Sequence, residues 1–355
     1  MTKRAVWLLA IGYLLCRVSV ARADTIDDFV QAQIAAFHAP GVALVVVERG
    51  RVVKAAGYGF ADREAKVPVT PDTVFKIGSV SKQFIASGIM LLVRQGKVHL
   101  DDPIASFFDD LPASWRPTTV RHLLTHTSGL LRESPAFDPL SDKSDAEVIR
   151  AAYTAPLHFP PGARWEYSNV GYYALAEIIH KASGRPWTEF IDETIFRPAG
   201  MTITFPTNTA RSIPGMAVGY TGNDNISPAP HWVALRPSGA FLSTVLDLAR
   251  WEATLYTDRV LTSAERDVMW TPVQLNDKTQ APYGFGWHLD GGRGQRRIWH
   301  GGGLPGFISN YVRYPDEGLT VIALTNGDDT DIGHIANSVA SLYREQHKSP
   351  AAAKP

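Results

Sequence analysis

Ser79 and Lys82, in Ser79-Val80-Ser81-Lys82, head a strongly helical stretch that extends to about residue 95. Residues three apart share a helix face, so the hydroxyl and the amine can meet. A serine is a poor nucleophile unless a neighbour takes its proton, and a lysine stripped of water has a lowered pKa and can do so. The start of a helix adds backbone N–H groups that stabilise a developing oxyanion. Taken alone the spacing says little: 21 serines and 11 lysines in 355 residues give roughly 0.6 such pairs by chance. A helix cap by Ser79 or Ser81, with Lys82 in solvent, explains it equally well.

Two further groups carry chemistry. Tyr167-Ser168-Asn169 follows Pro160-Pro161-Gly162, where a loop enters a helix over residues 170–181. A phenol held near Ser79 and Lys82 could relay a proton to a leaving group, and the Asn169 amide could hold Lys82 or a substrate carbonyl. The alternative is capping by Ser168 or Asn169, with Tyr167 in the core. His300-Gly301-Gly302-Gly303 follows a short strand predicted to end at Trp299. Successive glycines let a substrate lie along a strand edge and leave backbone N–H groups free for an oxyanion; the alternative is a flexible turn.

His122 and His126 have the i, i+4 spacing of a helical metal pair, but Leu123 stands where a zinc peptidase would place its glutamate. No third ligand is evident, so structural histidines are expected. No Gly-x-Ser-x-Gly occurs, so the nucleophile elbow of the α/β-hydrolases is absent.

The elements that must position these groups follow the hydrophobic pattern. Residues 24–37 read as an opening helix; residues 41–47 and 52–58 read as a hairpin turning at Arg49-Gly50. Helices and proline-rich loops fill residues 68–230. Short strands return at 283–289, 296–299, 308–314 and 319–325, and a last amphipathic helix covers 332–343. The expected fold is mixed α/β (α+β): an antiparallel sheet built from both chain ends (24–67 and 231–345), flanked by terminal helices, with a mostly helical lobe (68–230) inserted.

Residues 1–23 read as a signal peptide: Lys3 and Arg4, an apolar run over 5–15, and Ala21-Arg22-Ala23 before the cut. An apolar run of 11 residues is short for a membrane span, so no stable anchor is expected after cleavage, and the product is expected to be periplasmic or secreted. Removing these residues takes four of 35 basic side chains and none of 35 acidic ones, leaving a net charge of −4. That balance argues against nucleic acid as a partner. Cys16 is the only cysteine, so the mature chain has no disulfide, thiolate nucleophile or cysteine metal site. Residues 346–355 read as a disordered tail.

Taken together, Ser-x-x-Lys, Tyr-x-Asn and His-x-Gly in this order resemble the serine β-lactamase and penicillin-binding-protein superfamily, in its class C-like branch. That branch includes family VIII esterases, D-aminopeptidases and D-alanyl-D-alanine carboxypeptidases. Segments 57–62, 73–78, 96–103, 122–130, 238–243, 247–250 and 283–287 are similar to it as well. The resemblance implies a β-lactamase/transpeptidase-like fold with the site in a cleft between two lobes. It implies Ser79 as acylated nucleophile, Lys82 as its activating neighbour and Tyr167 as second base. Asn169 would position Lys82 and substrate, and the N–H groups of Ser79 and Gly303 would form the oxyanion hole. It implies no cofactor, and a small ester, amide or D-amino-acid peptide as the partner; oligomeric state is left open. The β-lactamases carry Lys-Thr-Gly at the third motif. The neutral His300 in its place points away from efficient β-lactam hydrolysis and toward the esterase and D-peptidase members.

Overall fold

The computed structural model describes residues 25–347 apart from 142, 208–212, 223–225, 231–235, 240 and 292–293. The signal segment and the tail beyond residue 347 lie outside the described residues. Seven strands form the main sheet: β1 (Gly41–Glu48), β2 (Arg51–Asp62), β3 (Val67–Pro68), β4 (His288–Asp290), β5 (Arg297–Leu304), β6 (Phe307–Tyr314) and β7 (Leu319–Thr325). Their order is β4-β5-β6-β7-β1-β2-β3, and every pairing is antiparallel. First and last strands of the chain thus meet at the centre, with Val45 opposite Ile322.

The central strands are covered on both faces, which is why Gly41–Glu48 and Leu319–Thr325 read as nearly unbroken apolar runs. Side chains alternate across the sheet. Val42, Leu44, Val46, Val321 and Ala323 pack against the terminal helices α1 (Thr25–Ala36) and, at the far end of the chain, Ile332–His347. Ala43, Val45, Val47, Ile322 and Leu324 face the second, larger core with the inserted helices. Two of those helices carry the site: α2 (Lys82–Arg94) and α3 (Asn169–Ser183), packed on each other. Helix α3 is bounded as its sequence dictates. Ser168 caps its start by accepting from Gly171 N–H, and Gly184 ends it in the left-handed conformation.

Two sequence expectations need correction, and a third is sharpened: the helical stretch at Ser79 opens as a 3₁₀ turn, Gly78–Ser81, that runs into α2. Only the end of the segment 283–289 is strand, which begins at His288 and runs to Asp290, because Gly284 and Gly286 sit in a turn, Gly286 with φ +78°. The glycine run does not follow its strand but lies inside it, since β5 continues to Leu304.

Candidate active site

The 3₁₀ turn puts Ser79 and Lys82 one above the other, because residues three apart eclipse in that helix. Lys82 Nζ lies 3.1 Å from Ser79 Oγ. Neither Ser79 nor Ser81 acts as a cap. The Ser81 hydroxyl instead accepts from Phe241 N–H, Ile77 N–H donates to Phe241 O, and Ser309 Oγ donates to Ile77 O. The turn is therefore pinned from both sides, with Ser79 half-buried on the wall of a cleft of about 980 Å³.

Lys82 is fully buried. Its Nζ donates to Asn169 Oδ1 at 2.8 Å and to the Ser238 carbonyl at 2.7 Å. Burial drives its pKa well below the usual lysine value, and the guanidinium groups of Arg236 and Arg132 push the same way; only Glu133 opposes them. A neutral amine has two N–H donors and one lone pair. In its neutral form, with Asn169 and Ser238 taking the donors, the amine turns that lone pair to Ser79.

Tyr167, one residue before the cap of α3, reaches Ser79 with its hydroxyl, and its ring centre is 4.7 Å from Lys82 Nζ. Burial raises the phenol's pKa above the usual value, outweighing the hydrogen bond to Ser79 and the arginines. The resting phenol therefore keeps its proton. Asn169 is held in turn: its Nδ2 donates to Glu133, whose same oxygen accepts from Arg236.

On the opposite wall, β4 pairs only with Arg297–Trp299 of β5, so the β5 edge from His300 onward has no strand partner on that side among the described residues. Gly303 is exposed there, and Gly302 is pressed against the turn that carries Ser79. His300 is 2 % exposed, with Nε2 3.0 Å from the Tyr283 hydroxyl and Nδ1 2.6 Å from Gly301 O. Desolvation is the first cause that holds its pKa well below the ordinary histidine value, followed by His288 and Lys82. Arg132, Trp165, Arg236 and Trp299 complete the rim.

Ser79, Lys82, Tyr167 and Asn169 thus meet at one point, with His300 to Gly303 forming the facing wall. His122 and His126 separate. His122 Nδ1 accepts from Thr119 N–H in a helix capping box, whereas His126 is buried beside Tyr167. Glu133, Arg236, Ser238 and Tyr283 were not read from the sequence as parts of the site. They lie up to 157 residues from their partners, and a contact of that kind leaves no spacing to read.

The antiparallel sheet, the inserted helices and the serine–lysine cleft define a hydrolase of the β-lactamase/transpeptidase fold. The chain belongs to the Beta-lactamase family, whose model matches residues 26–342. It is 32% identical over 308 residues to penicillin-binding protein 4* of Bacillus subtilis, covering 81% of this chain and 68% of that protein. A D-aminopeptidase of Brucella anthropi is 30% identical over 89% of this chain, which spans 62% of that longer protein. Among solved structures, the octameric penicillin-binding protein homologue from Pyrococcus abyssi superposes with a TM-score of 0.80 at 27% identity, over 90% of this chain and 77% of that one. The D-amino acid amidase from Ochrobactrum anthropi gives 0.79 at 26% identity, over 91% and 100%.

Proposed function

We propose that this protein is an exported serine hydrolase that works through an acyl-enzyme on Ser79 and cleaves small esters or D-amino-acid-containing amides and peptides. One observation carries the reading: the buried Lys82 amine gives its donors to Asn169 and Ser238 and lies 3.1 Å from Ser79 Oγ. Ser79 Oγ attacks the substrate carbonyl and its proton passes to Lys82. The N–H groups of Ser79 and Gly303 receive the oxyanion. Of the two candidate bases, Lys82 has its pKa lowered by burial and Tyr167 has its raised, so Lys82 takes the first proton. Tyr167 enters as a neutral phenol that donates to the leaving oxygen or nitrogen, and Lys82 supplies the proton that restores it. Water then attacks the acyl-enzyme, and its proton returns by the same groups.

The D-aminopeptidase and amidase relatives support a D-amino-acid substrate, and Trp165 and Trp299 offer apolar walls for its side chain. Export rests on residues 1–23 alone. A weak β-lactamase is the second reading. It is disfavoured by His300, whose two ring nitrogens are both occupied and which presents no cation to a substrate carboxylate. The test is a panel on purified mature protein: a p-nitrophenyl short-chain ester, a D-amino-acid amide, a D-Ala-D-Ala peptide and a chromogenic cephalosporin, with Ser79→Ala alongside. Turnover of the ester or a D-substrate, with an acyl adduct on Ser79 by mass spectrometry, supports the reading. Wild type and mutant equally inert on all four, with no adduct, would sink it.

A further inference from the structure

A line of buried hydrogen bonds runs behind the site from α3 to β5, through two residues to which the mechanism gives no role. Ser168 N–H donates to His126 Nδ1 at 3.1 Å. His126 Nε2 lies 3.2 Å from the Tyr283 hydroxyl, Tyr283 lies 3.0 Å from His300 Nε2, and His300 Nδ1 lies 2.6 Å from Gly301 O. His126 and Tyr283 are fully buried and His300 is 2 % exposed.

The two ends of this line are backbone groups of fixed polarity, and that decides every proton between them. A backbone N–H only donates, so His126 Nδ1 accepts and, in a neutral ring, Nε2 carries the proton. A carbonyl only accepts, so His300 Nδ1 carries the proton and its Nε2 accepts. The Tyr283 hydroxyl then accepts from His126 and donates to His300. The neighbouring Tyr172 hydroxyl gives its proton to Leu124 O, so toward Tyr283 it can only accept and supplies no competing donor. One proton per histidine satisfies all four bonds, and a second on either ring would set donor against donor. Burial is the first cause that disfavours that second proton on either ring, and the Arg132 guanidinium disfavours it further at His126.

We propose that His126 and Tyr283 are positioning residues that hold His300 as the neutral Nδ1–H tautomer and thereby fix the Gly301 carbonyl on the strand edge that the substrate meets. The consequence is mechanical. Gly301 O belongs to the peptide leading into Gly302, the residue pressed against the Ser79 turn, and Gly303 N–H follows directly. The line also joins the residue after Tyr167 to the opposite wall, so both sides of the cleft are set by one rigid connection. The catalytic part of this inference rests on the hydrolase reading above.

The test has two arms. In wild-type protein labelled with ¹⁵N-histidine, long-range ¹H–¹⁵N spectra should show His300 protonated at Nδ1 and His126 at Nε2, the signals assigned by loss in His300→Gln and His126→Asn. In Tyr283→Phe, which keeps the ring and removes one hydroxyl, His300 Nε2 should lose its hydrogen-bonded shift. There, kcat/KM for p-nitrophenyl acetate, per active site titrated by mass spectrometry, should fall about tenfold or more. His300 found as the Nε2–H tautomer in wild type would overturn the inference even if the variant fails to fold. So would a Tyr283→Phe protein with unchanged kcat/KM per titrated site. A wild type inert toward every substrate overturns the hydrolase reading and the catalytic part with it, while the tautomers still decide the rest.

Discussion

Three glycines in a row suggest one shared purpose, but the structure gives only the middle one no alternative. A methyl group added at Gly302 would fall far inside contact distance of Ile77 O and Ser309 Oγ, and 2.9 Å from Ser79 N. Two of these atoms are backbone of the nucleophile's own turn, so no side-chain rotation relieves the clash. Ordinary carbon–oxygen contact requires about 3.3 Å or more, so β5 and the Ser79 turn must separate by about 1 Å. A displacement of that size at reacting groups costs on the order of 100-fold in rate, and such overpacking costs about 1–3 kcal/mol in stability. Gly301→Ala meets nothing closer than 3.6 Å, and Gly303→Ala only the movable end of Ile308 at 3.4 Å. None of the three glycines has a positive φ, so alanine brings no backbone strain. The expected pattern is a loss of about 100-fold in kcat/KM with a lowered melting temperature for Gly302→Ala. Gly301→Ala and Gly303→Ala should stay within a few-fold of wild type. The assay is p-nitrophenyl ester hydrolysis, with thermal unfolding on the same samples. Equal behaviour of all three variants would refute the argument that close approach of the turn, rather than loop flexibility, requires the glycine.

The remaining predictions concern charge. Because Lys82 works as the neutral amine and its pKa is lowered, kcat/KM should rise with pH through an acid limb set below the ordinary lysine range. Arg236→Gln removes a charge that lowers the Lys82 pKa and should move that limb to higher pH. Glu133→Gln removes one that raises it and should move the limb to lower pH; shifts in the same direction would contradict the assignment. Lys82→Arg should be as inactive as Lys82→Ala on the ester panel, since a guanidinium does not give up its proton near neutral pH. Away from the site, Glu252 is fully buried and accepts from Arg313, Tyr311 and Thr320. Arg313→Met strands that carboxylate and should cost about 3–5 kcal/mol in denaturant unfolding, with KM for the ester unchanged.

What could be read from the sequence divides along a physical line. Ser79 with Lys82, and Tyr167 with Asn169, were legible because each pair sits on one local element, where spacing fixes geometry. β1 and β7 were legible because burial on both faces writes itself as apolar runs, and β2 because the Arg49-Gly50 turn sends the chain back beside β1. The helical stretch at Ser79 was legible but not its tighter first turn, because 3₁₀ and α geometry share the i, i+3 contact, and only the packing of Ile77, Phe241 and Ser309 selects the 3₁₀ form. The glycine run was taken to end its strand because glycine lowers strand propensity. In the structure the strand passes through it, held by β6 on one side. Capping by Ser168 was legible too, but not that the same residue starts the line of bonds to His300.

The part that stayed invisible shares one property: its partners come from distant stretches of chain and often from backbone atoms. Ser238 contributes a carbonyl to Lys82, and a carbonyl has no residue type to recognise. His126 looked like half of a metal pair with His122 because both lie in one short stretch, yet its partners are Ser168 N–H and Tyr283, 42 and 157 residues away. The same distinction bears on specificity. His300 is neutral not merely because histidine is usually neutral at pH 7, but because a backbone donor at one end and a backbone acceptor at the other leave room for one proton per ring. A substrate carboxylate therefore finds no cation at His300 at any pH at which that line is intact. Arg132, whose guanidinium carbon lies 5.2 Å from the Tyr167 ring centre on the rim, stands nearer the leaving-group side. Discrimination between an ester and a D-peptide with a free carboxylate should then respond to Arg132→Ala. Loss of the arginine should raise KM for the D-Ala-D-Ala peptide while leaving that for the p-nitrophenyl ester within a few-fold, as steady-state kinetics on the two substrates would show. An equal change for both would mean that Arg132 does not read substrate charge.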